Sequence, residues 1–164
     1  MIDFFQERQG HRVWSPLRIG KHEGKTIPQI IMSDPDYFFW ALEQDRFFRG
    51  RIATEADDVN KKIRRIKIPK IKPNDWLIEY YWSRDGKFSH FDIVESTRPP
   101  HVGSSITQRA KHLSFAVVRE TKHYDKLGYR LFLNNFKHYF FGKESARMTK
   151  AVCEKFFDTP SNFV

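Results

Sequence analysis

Two Gly-Lys pairs four residues apart, followed by a proline-containing helix signal, most restrict how this chain can fold. The pairs are Gly20-Lys21 and Gly24-Lys25. Because glycine adopts positive φ without strain, their spacing predicts a tight reversal between extended runs at 13–19 and 26–31. Asp34-Pro35-Asp36 then supplies an N-cap, a proline for the first helical turn and a carboxylate for the positive helix end. The sequence therefore predicts a β-hairpin followed by a helix.

That helix carries an aromatic stripe. Tyr37, Trp40 and Ala41 recur at helical spacing, and Phe38 and Leu42 widen the stripe into a face suited to burial. The reversal and the helix together predict a small folded module over residues 1–50.

At these residues the chain resembles a module found at the C-terminus of exonuclease X-like proteins and as free-standing small bacterial and phage proteins. The family pattern is an apolar residue, Gly-Lys-x-x-Gly-Lys, and a Tyr-x-x-Trp helix. The matching residues here are Ile19, Gly20, Lys21, Gly24, Lys25, Tyr37, Trp40, Ala41 and Leu42. Ile19 stands where family members usually carry an aromatic residue. The resemblance covers about the first third of the chain. It implies company with DNA-processing enzymes but not catalysis, because the exonuclease acidic residues belong to a separate domain.

The overall charge favours a polyanionic partner. Lys and Arg total 29 against 20 Asp and Glu, which leaves a net charge of +9. Such a balance is typical of proteins that bind nucleic acid. No long apolar run or clean basic amphipathic helix favours a membrane. The N-terminus lacks the pattern of a signal peptide, and the single cysteine, Cys153, fits a reducing cytoplasm.

The densest run of cations lies at 61–72, which contains no acidic residue. Thr54 begins a capping-box pattern, which predicts a helix to about Arg65, and prolines at 69 and 73 predict an extended linker after it. We expect residues 51–73 to form this basic helix and linker and to contact phosphates without sequence preference. The cations are Lys61, Lys62, Arg64, Arg65, Lys67, Lys70 and Lys72. Lys21 and Lys25 would add contacts from the glycine turn.

The second half, 74–164, is predicted to be an antiparallel sheet closed by a helix. Strands are expected at 75–83, 88–95, 112–120, 128–133 and 136–141, with a helix from about 144 to 157. Asp85-Gly86 is a hairpin signal between the first two strands. The predicted fold class is therefore α+β, with helices packed on an antiparallel sheet.

The hairpin register predicts a second, catalytic interpretation. A two-residue turn pairs Tyr80 with Phe91 and places Glu79 directly opposite Asp92. Because opposed like charges destabilise a sheet, a divalent metal or a nearby cation should compensate them. Glu79, Asp92, Glu120 and Lys122 would then form the site of a small nuclease that uses Mg²⁺ or Mn²⁺. A bulged turn would dissolve the pair.

The sequence leaves three functions open. The favoured one is a non-catalytic, cytoplasmic nucleic-acid-binding accessory protein that needs no cofactor and works beside a DNA-processing enzyme. Tyr81, on the more polar face of its strand, would provide a platform for base stacking. The alternatives are the metal-dependent nuclease and an adaptor that binds an acidic partner protein.

Overall fold

The computed structural model of the protein describes residues 13–69 and 75–164. Within these ranges the fold is α+β, as predicted, with six α-helices and a three-stranded antiparallel sheet. The helices are α1 (Ile27–Ser33), α2 (Pro35–Glu43), α3 (Gly50–Lys62), α4 (Val117–Thr121), α5 (Lys126–Phe141) and α6 (Lys150–Phe157).

The sheet has the strand order β2-β1-β3. Its strands are β1 (Trp76–Trp82), β2 (Phe88–Glu95) and β3 (Ile106–Ala110). The predicted hairpin register is confirmed, because Tyr80 pairs with Phe91 and Glu79 with Asp92. The predicted two-residue turn is wrong, because Ser83 N–H donates to Lys87 O at 2.9 Å and three residues form the loop. A register shift between Tyr81 and Trp82 restores the predicted pairs.

One face of the sheet packs against α5 through aromatic rings. Phe91 and Phe88 of β2 both contact Phe132, with ring centroids 5.2 and 5.7 Å apart respectively. Phe132 and Phe136 are fully buried beside Phe115. This aromatic layer fixes α5 on the sheet.

A single hydrophobic core runs through the described residues, from Trp14 to Phe163. Helix α1 packs against α2, α3 and α6, so the first third of the chain shares its core with the last helix. The glycine-turn segment is therefore built into the fold of the remaining chain.

The glycine turn is present, but the predicted β-hairpin is wrong. Main-chain hydrogen bonds join Gly24 N–H to Leu17 O at 2.8 Å and Leu17 N–H to Lys25 O at 2.9 Å. The run at 26–31 then enters α1 instead of a strand. Thr26 and Gln29 form a capping box, and the isoleucines at 27, 30 and 31 are buried at helical spacing.

Helix α3 begins and ends earlier than predicted. Thr54 does not cap it, because α3 already starts at Gly50, and it ends at Lys62 before the predicted Arg65. Glu55 and Ala56 are buried, so this face of α3 packs inward. The capping-box pattern at Thr54 lies within the helix.

The strands predicted at 128–133 and 136–141 are wrong, because both lie in α5. The Asp125 carboxylate accepts a hydrogen bond from Gly128 N–H at 2.8 Å and caps the helix. Gly142 ends it with φ of 86°. Tyr129, Phe132 and Phe136, three or four residues apart, are all buried.

The remaining elements are shifted from their predicted places. The strand expected at 112–120 is wrong, since 117–121 form α4. The third strand is β3, which lies before that segment. The last helix begins at Lys150, where the Thr149 hydroxyl accepts a hydrogen bond from Val152 N–H at 3.2 Å. It ends at Phe157, as expected.

Candidate functional site

The cations of the 61–72 run are largely held by neighbouring groups. Acidic residues one helical turn earlier pair with the first two lysines: Lys61 with Asp57 at 2.9 Å and Lys62 with Asp58 at 3.2 Å. These i,i+4 pairs are typical of a solvated helix face. Although the run itself contains no acid, Lys61 and Lys62 therefore pair with acids that precede it.

The next cations of the run are also bound within the fold. Arg64 lies 3.5 Å from the Glu120 carboxylate, and Arg65 donates to the main-chain oxygen of Val164. Lys62 additionally donates to Phe157 O at 3.1 Å. Lys67 is exposed, and Lys70 and Lys72 lie outside the described residues. The run therefore does not present its described cations as one free patch.

The glycine turn is anchored by Asp34. Lys21 Nζ lies 3.0 Å and His22 Nε2 2.9 Å from the same carboxylate oxygen. Burial alone would raise the pKa of Asp34, but the hydrogen bonds from His22, Lys21 and the Tyr37 N–H together lower it. Lys25, in contrast, is exposed and has no side-chain partner among the described residues.

The glycine turn packs directly against Tyr37 of α2. Gly20 has φ of 91°, and a Cβ atom placed there would lie 2.7 Å from Tyr37 Oη. The Tyr37 ring also packs edge-on against His22, with centroids 4.6 Å apart. A side chain at position 20 would therefore force the Tyr37 hydroxyl of α2 to move.

Beside this turn lies a groove of about 1000 Å³, which we call the arginine groove. It is formed by the segment before the turn, the end of α2 and the start of α3. The side chains that define it are Arg18, Arg46, Arg49, Arg51, Trp40 and Phe47. Trp40 and Phe47 pack edge-to-face, with centroids 5.4 Å apart.

Two of the four arginines are tethered and two are not. Arg49 Nε donates to Arg46 O at 2.9 Å, and Arg51 donates to Val13 O. The side chains of Arg18 and Arg46 are exposed and have no hydrogen-bond or ion-pair partner among residues 13–69 and 75–164. Within the described residues, no acid therefore competes with an anion for these two guanidinium groups.

Sequence reasoning missed the arginine groove. A signal was present, because arginines alternate with Phe47 and Phe48 between α2 and α3. Such interleaving of basic and aromatic residues is typical of single-stranded nucleic-acid surfaces. The predicted site residues Lys21 and Lys25 lie on the adjoining turn, so they are close in sequence to Arg18.

A second groove, of about 480 Å³, lies between the start of α2 and α5, and we call it the α2–α5 groove. Four cations and two acids line it: Lys21, Lys126, Arg130, Lys137, Asp34 and Asp36. Asp36 is 4% exposed, and both of its carboxylate oxygens have almost no solvent-accessible surface. Burial raises the pKa of Asp36, while the nearby Asp125 N–H and Arg119 charge offset part of the rise.

The carboxylates proposed for a nuclease are not assembled into a metal site. The Glu79 carboxylate accepts hydrogen bonds from Arg109 and from the Tyr81 hydroxyl. Burial would raise the pKa of Glu79, but these hydrogen bonds and the Arg109 charge outweigh it and lower the pKa. Asp92 accepts a hydrogen bond from the Tyr139 hydroxyl at 3.0 Å.

The Glu-x-Lys part of that prediction lies elsewhere. Glu120 is on α4, where it pairs with Arg64, and Lys122 follows the end of this helix. Over 13–69 and 75–164, no group of three acidic, histidine or cysteine side chains is placed to hold a metal ion. The compensating cation for Glu79 is Arg109, not Lys122.

Tyr81 is not an exposed stacking platform. It is 4% exposed, with its ring stacked on His90 at 4.2 Å and edge-on to His101 at 5.2 Å. Burial and the hydrogen bond to Glu79 raise the pKa of Tyr81 to about 12. The polar face of its strand is covered, which removes the predicted role in base stacking.

Cys153 is a free, buried thiol on α6, and burial raises its pKa to about 11. Among the helices that the structure describes, none combines the length and apolar character needed to cross a bilayer.

No protein-family model, curated protein or solved structure matches the chain. The resemblance to the exonuclease X-like module therefore rests on the turn and α2 residues alone.

Proposed function

We propose that this protein binds nucleic acid as a non-catalytic accessory protein, with the arginine groove as its main contact surface. The observation that carries the proposal is the convergence of four arginines and two aromatic rings on one groove. The glycine turn beside it presents Lys25 as an additional cation, whereas Lys21 is paired with Asp34 at 3.0 Å. The net charge of +9 adds long-range attraction for a polyanion.

The chemistry of these side chains suits a phosphate backbone. Guanidinium groups bind phosphate oxygens through paired N–H donors, which makes arginine well suited to nucleic-acid contacts. Arg18 and Arg46 have no competing partner among the described residues. Trp40 and Phe47 offer apolar surface on which unpaired bases can stack.

The arginines of the groove outnumber its acids. Asp45 is the one acid among the described residues that line it, and Glu55, which faces Arg51 at 3.6 Å, is buried. An anionic ligand would therefore meet a positive surface. This contrasts with the 61–72 run, where neighbouring acids already pair with Lys61, Lys62 and Arg64.

The proposal also includes a protein partner and a cellular location. The resemblance to the exonuclease X-like module suggests a DNA-processing enzyme as a protein partner, and the single cysteine is compatible with the cytoplasm. The proposal includes no reaction and therefore requires no cofactor.

The test measures binding of short fluorescent oligonucleotides by anisotropy across about 50 to 200 mM salt. We expect affinity to fall as salt rises. Arg18→Gln combined with Arg46→Gln should weaken binding and flatten the salt slope by about 1 for each phosphate that the variant no longer neutralises. Lys111→Gln combined with Lys155→Gln is the control, because it removes the same charge from exposed positions outside the groove.

Two results would overturn the proposal. One is the absence of salt-sensitive binding to single- or double-stranded oligonucleotides. The other is an equal loss of affinity in both double variants, which would mean that net charge, not the arginine groove, governs binding. Retention of an acidic partner protein without oligonucleotide binding would favour the adaptor function instead.

A further inference from the structure

Helix α5 carries a row of cations that the described fold does not use. Lys126, Arg130 and Lys137 all line the α2–α5 groove, and we call them the α5 cations. The first two are exposed, and Lys137 is half-buried. Within residues 13–69 and 75–164, none of their side chains has a hydrogen-bond or ion-pair partner. An anion in this groove would therefore meet cations that no described acid neutralises.

The spacing of the α5 cations suits a chain of phosphates better than a single one. They lie one and then two helical turns apart, so they share one face of α5. At a rise of about 1.5 Å per residue, the row spans about 16 Å. A stacked nucleic-acid strand carries one phosphate per about 3.4 Å. The row is therefore long enough to contact several successive phosphates.

The two acids that line the α2–α5 groove do not cancel these charges. Asp34 is already bound by Lys21 and His22, at 3.0 and 2.9 Å. The carboxylate oxygens of Asp36 have almost no solvent-accessible surface. Neither carboxylate competes with a ligand for the α5 cations, so the accessible charge of the groove is positive.

The glycine turn connects this groove to the arginine groove. Arg18 and Ile19 line the arginine groove, whereas Lys21 lines the α2–α5 groove. Three peptide steps separate Arg18 from Lys21, so their Cα atoms are at most about 11 Å apart. The turn also presents Lys25 and one exposed acid, Glu23. The two cationic grooves therefore meet at a single short turn.

The size of the grooves favours an unpaired strand over a duplex. Their volumes of about 1000 and 480 Å³ are in the range of sites that hold small molecules. A duplex has a persistence length of about 150 base pairs, so it does not bend from one groove into the other across one turn. A single strand is flexible enough to follow both grooves.

Both grooves also offer apolar surface to unpaired bases. Trp40 and Phe47 are half-buried in the arginine groove, so part of each ring is accessible. Leu133 and Met148 are half-buried in the α2–α5 groove. Aromatic stacking of bases is tolerant of sequence, and it is absent when the bases are paired inside a duplex.

We infer that one single strand of nucleic acid occupies both grooves. Its bases stack at Trp40 and Phe47, the strand crosses the glycine turn, and its phosphates continue along the α5 cations. This inference rests on the proposed function and names its substrate class, which is an unpaired strand that reaches beyond the turn. A strand of only a few nucleotides occupies the arginine groove alone.

The test measures anisotropy of labelled oligothymidylates of about 4 and about 16 nucleotides, which bracket known single-strand sites, and of a duplex of about 16 base pairs. The 16-mer should bind more tightly than the 4-mer and the duplex. Replacement of all three α5 cations by glutamine should weaken the 16-mer and leave the 4-mer unchanged. It should also reduce the salt slope of the 16-mer by about 2, since each phosphate contact on a single strand contributes about 0.7.

Two further variants complete the experiment. The control is the triple variant Arg84→Gln, Lys111→Gln and Lys155→Gln, which removes the same charge from exposed positions that line neither groove. It should weaken the 16-mer much less than the α5 variant does. Arg18→Gln combined with Arg46→Gln should weaken both lengths, because each strand uses the arginine groove.

Three outcomes would overturn the inference. The α5 variant and its control could weaken the 16-mer equally, the α5 variant could weaken the 4-mer as much as the 16-mer, or the duplex could bind as tightly as the 16-mer. If the arginine variant alone weakens the 16-mer, the proposed function stands and only the path along α5 is wrong. If no oligonucleotide binds, both fail.

Discussion

Arg109 and Glu79 are direct cross-strand partners on β3 and β1, and the Arg109 Nε donates to the Glu79 carboxylate. On its other side Glu79 pairs with Asp92 of β2. Two carboxylates therefore do lie opposite each other, and an arginine on the third strand compensates the buried one. Arg109 also donates to the main-chain oxygens of Arg98 and Pro99, which ties the loop before β3 to the sheet.

Removal of the Arg109 charge should strongly destabilise the protein. Arg109→Met leaves Glu79 buried with only the Tyr81 hydroxyl, and loss of one partner of a buried ion pair typically costs about 3–5 kcal/mol. Urea unfolding measures the change in the free energy of unfolding. Lys111→Met, an exposed change beyond the end of β3, is the control and should change it little.

A second substitution identifies the unpaired charge as the cause. Glu79→Gln in the Arg109→Met background removes the negative charge and keeps an oxygen that can accept from Tyr81. This double variant should recover much of the lost stability. If it remains as unstable as Arg109→Met alone, the missing packing of the arginine side chain is responsible instead.

The Glu79 pair also predicts a pH dependence. Because the pKa of Glu79 is lowered in the folded protein, its contribution to stability is present above the ordinary glutamate pKa of 4.5 and is lost as pH falls through the folded value. Thermal unfolding followed between neutral and strongly acidic pH should show this loss. Glu79→Gln should flatten the acid side of the profile. If Glu79→Gln and the unmodified chain lose stability in parallel as pH falls, other carboxylates, such as Asp34, dominate the acid sensitivity.

Part of this arrangement could be predicted from the sequence because it is local. The Asp85-Gly86 signal placed the hairpin correctly, but the loop holds three residues, because Ser83 N–H donates to Lys87 O. The register shift between Tyr81 and Trp82 restores the predicted Glu79–Asp92 pairing. Asp34 likewise caps α2, since its side chain needs only the N–H of Tyr37 three residues later. Both predictions depend on groups within a few residues of a turn or a helix end.

Other elements were ambiguous for a physical reason. Residues 128–133 are apolar at nearly every position, which fits a strand and a buried helix equally well. The deciding groups were Asp125, which caps the helix, and Gly142, which ends it. Arg109 could not be identified as the partner of Glu79, because the position of β3 depends on tertiary contacts. The arginine groove likewise combines segments that are separated in sequence.

The two turn glycines should respond differently to alanine. Both have positive φ, 91° at Gly20 and 84° at Gly24, so each substitution introduces backbone strain. At Gly20 the new Cβ would also lie 2.7 Å from Tyr37 Oη, whereas nothing lies within 4 Å at Gly24. We expect Gly24→Ala to cost about 1 kcal/mol and Gly20→Ala up to about 3 kcal/mol, measured by urea unfolding.

Removal of the Tyr37 hydroxyl tests the cause of that difference. This hydroxyl has no hydrogen-bond partner in the described chain, so Tyr37→Phe alone should change stability little. In the Gly20→Ala background it should recover part of the lost stability, because the Tyr37 ring carbon is 4.0 Å from the new Cβ. Equal costs for the two glycines would contradict a steric contribution.

Asp36→Asn should stabilise the protein. The folded state raises the pKa of Asp36, so the ionised carboxylate disfavours folding. An unpaired buried polar group costs about 1–3 kcal/mol, and the neutral amide should recover about 1 kcal/mol of it at neutral pH. Thermal and urea unfolding measure this gain.

The pH dependence of that gain has a defined sign. The cost of Asp36 is absent below its ordinary pKa of 3.8 and complete above the raised value. The stability difference between Asp36→Asn and the unmodified chain should therefore widen as pH rises. Charges that act on Asp36 include Asp34, Asp125 and Arg119, and the variant leaves all of them in place. A constant difference would contradict ionisation of Asp36 as its origin.

The final prediction compares the two sets of cations as phosphate contacts. Lys61 is paired with Asp57 at 2.9 Å, so Lys61→Gln removes one partner of an exposed pair whose net attraction for a phosphate is already small. Arg46→Gln removes a guanidinium of the arginine groove that has no ion-pair partner in the described part of the chain. In oligonucleotide anisotropy, Arg46→Gln should reduce the salt slope by about 1, whereas Lys61→Gln should change it by much less. The two variants carry the same change in net charge, so a difference between them reports position alone. A larger effect at Lys61 would instead place the phosphate backbone along α3, with Asp57 displaced by the ligand.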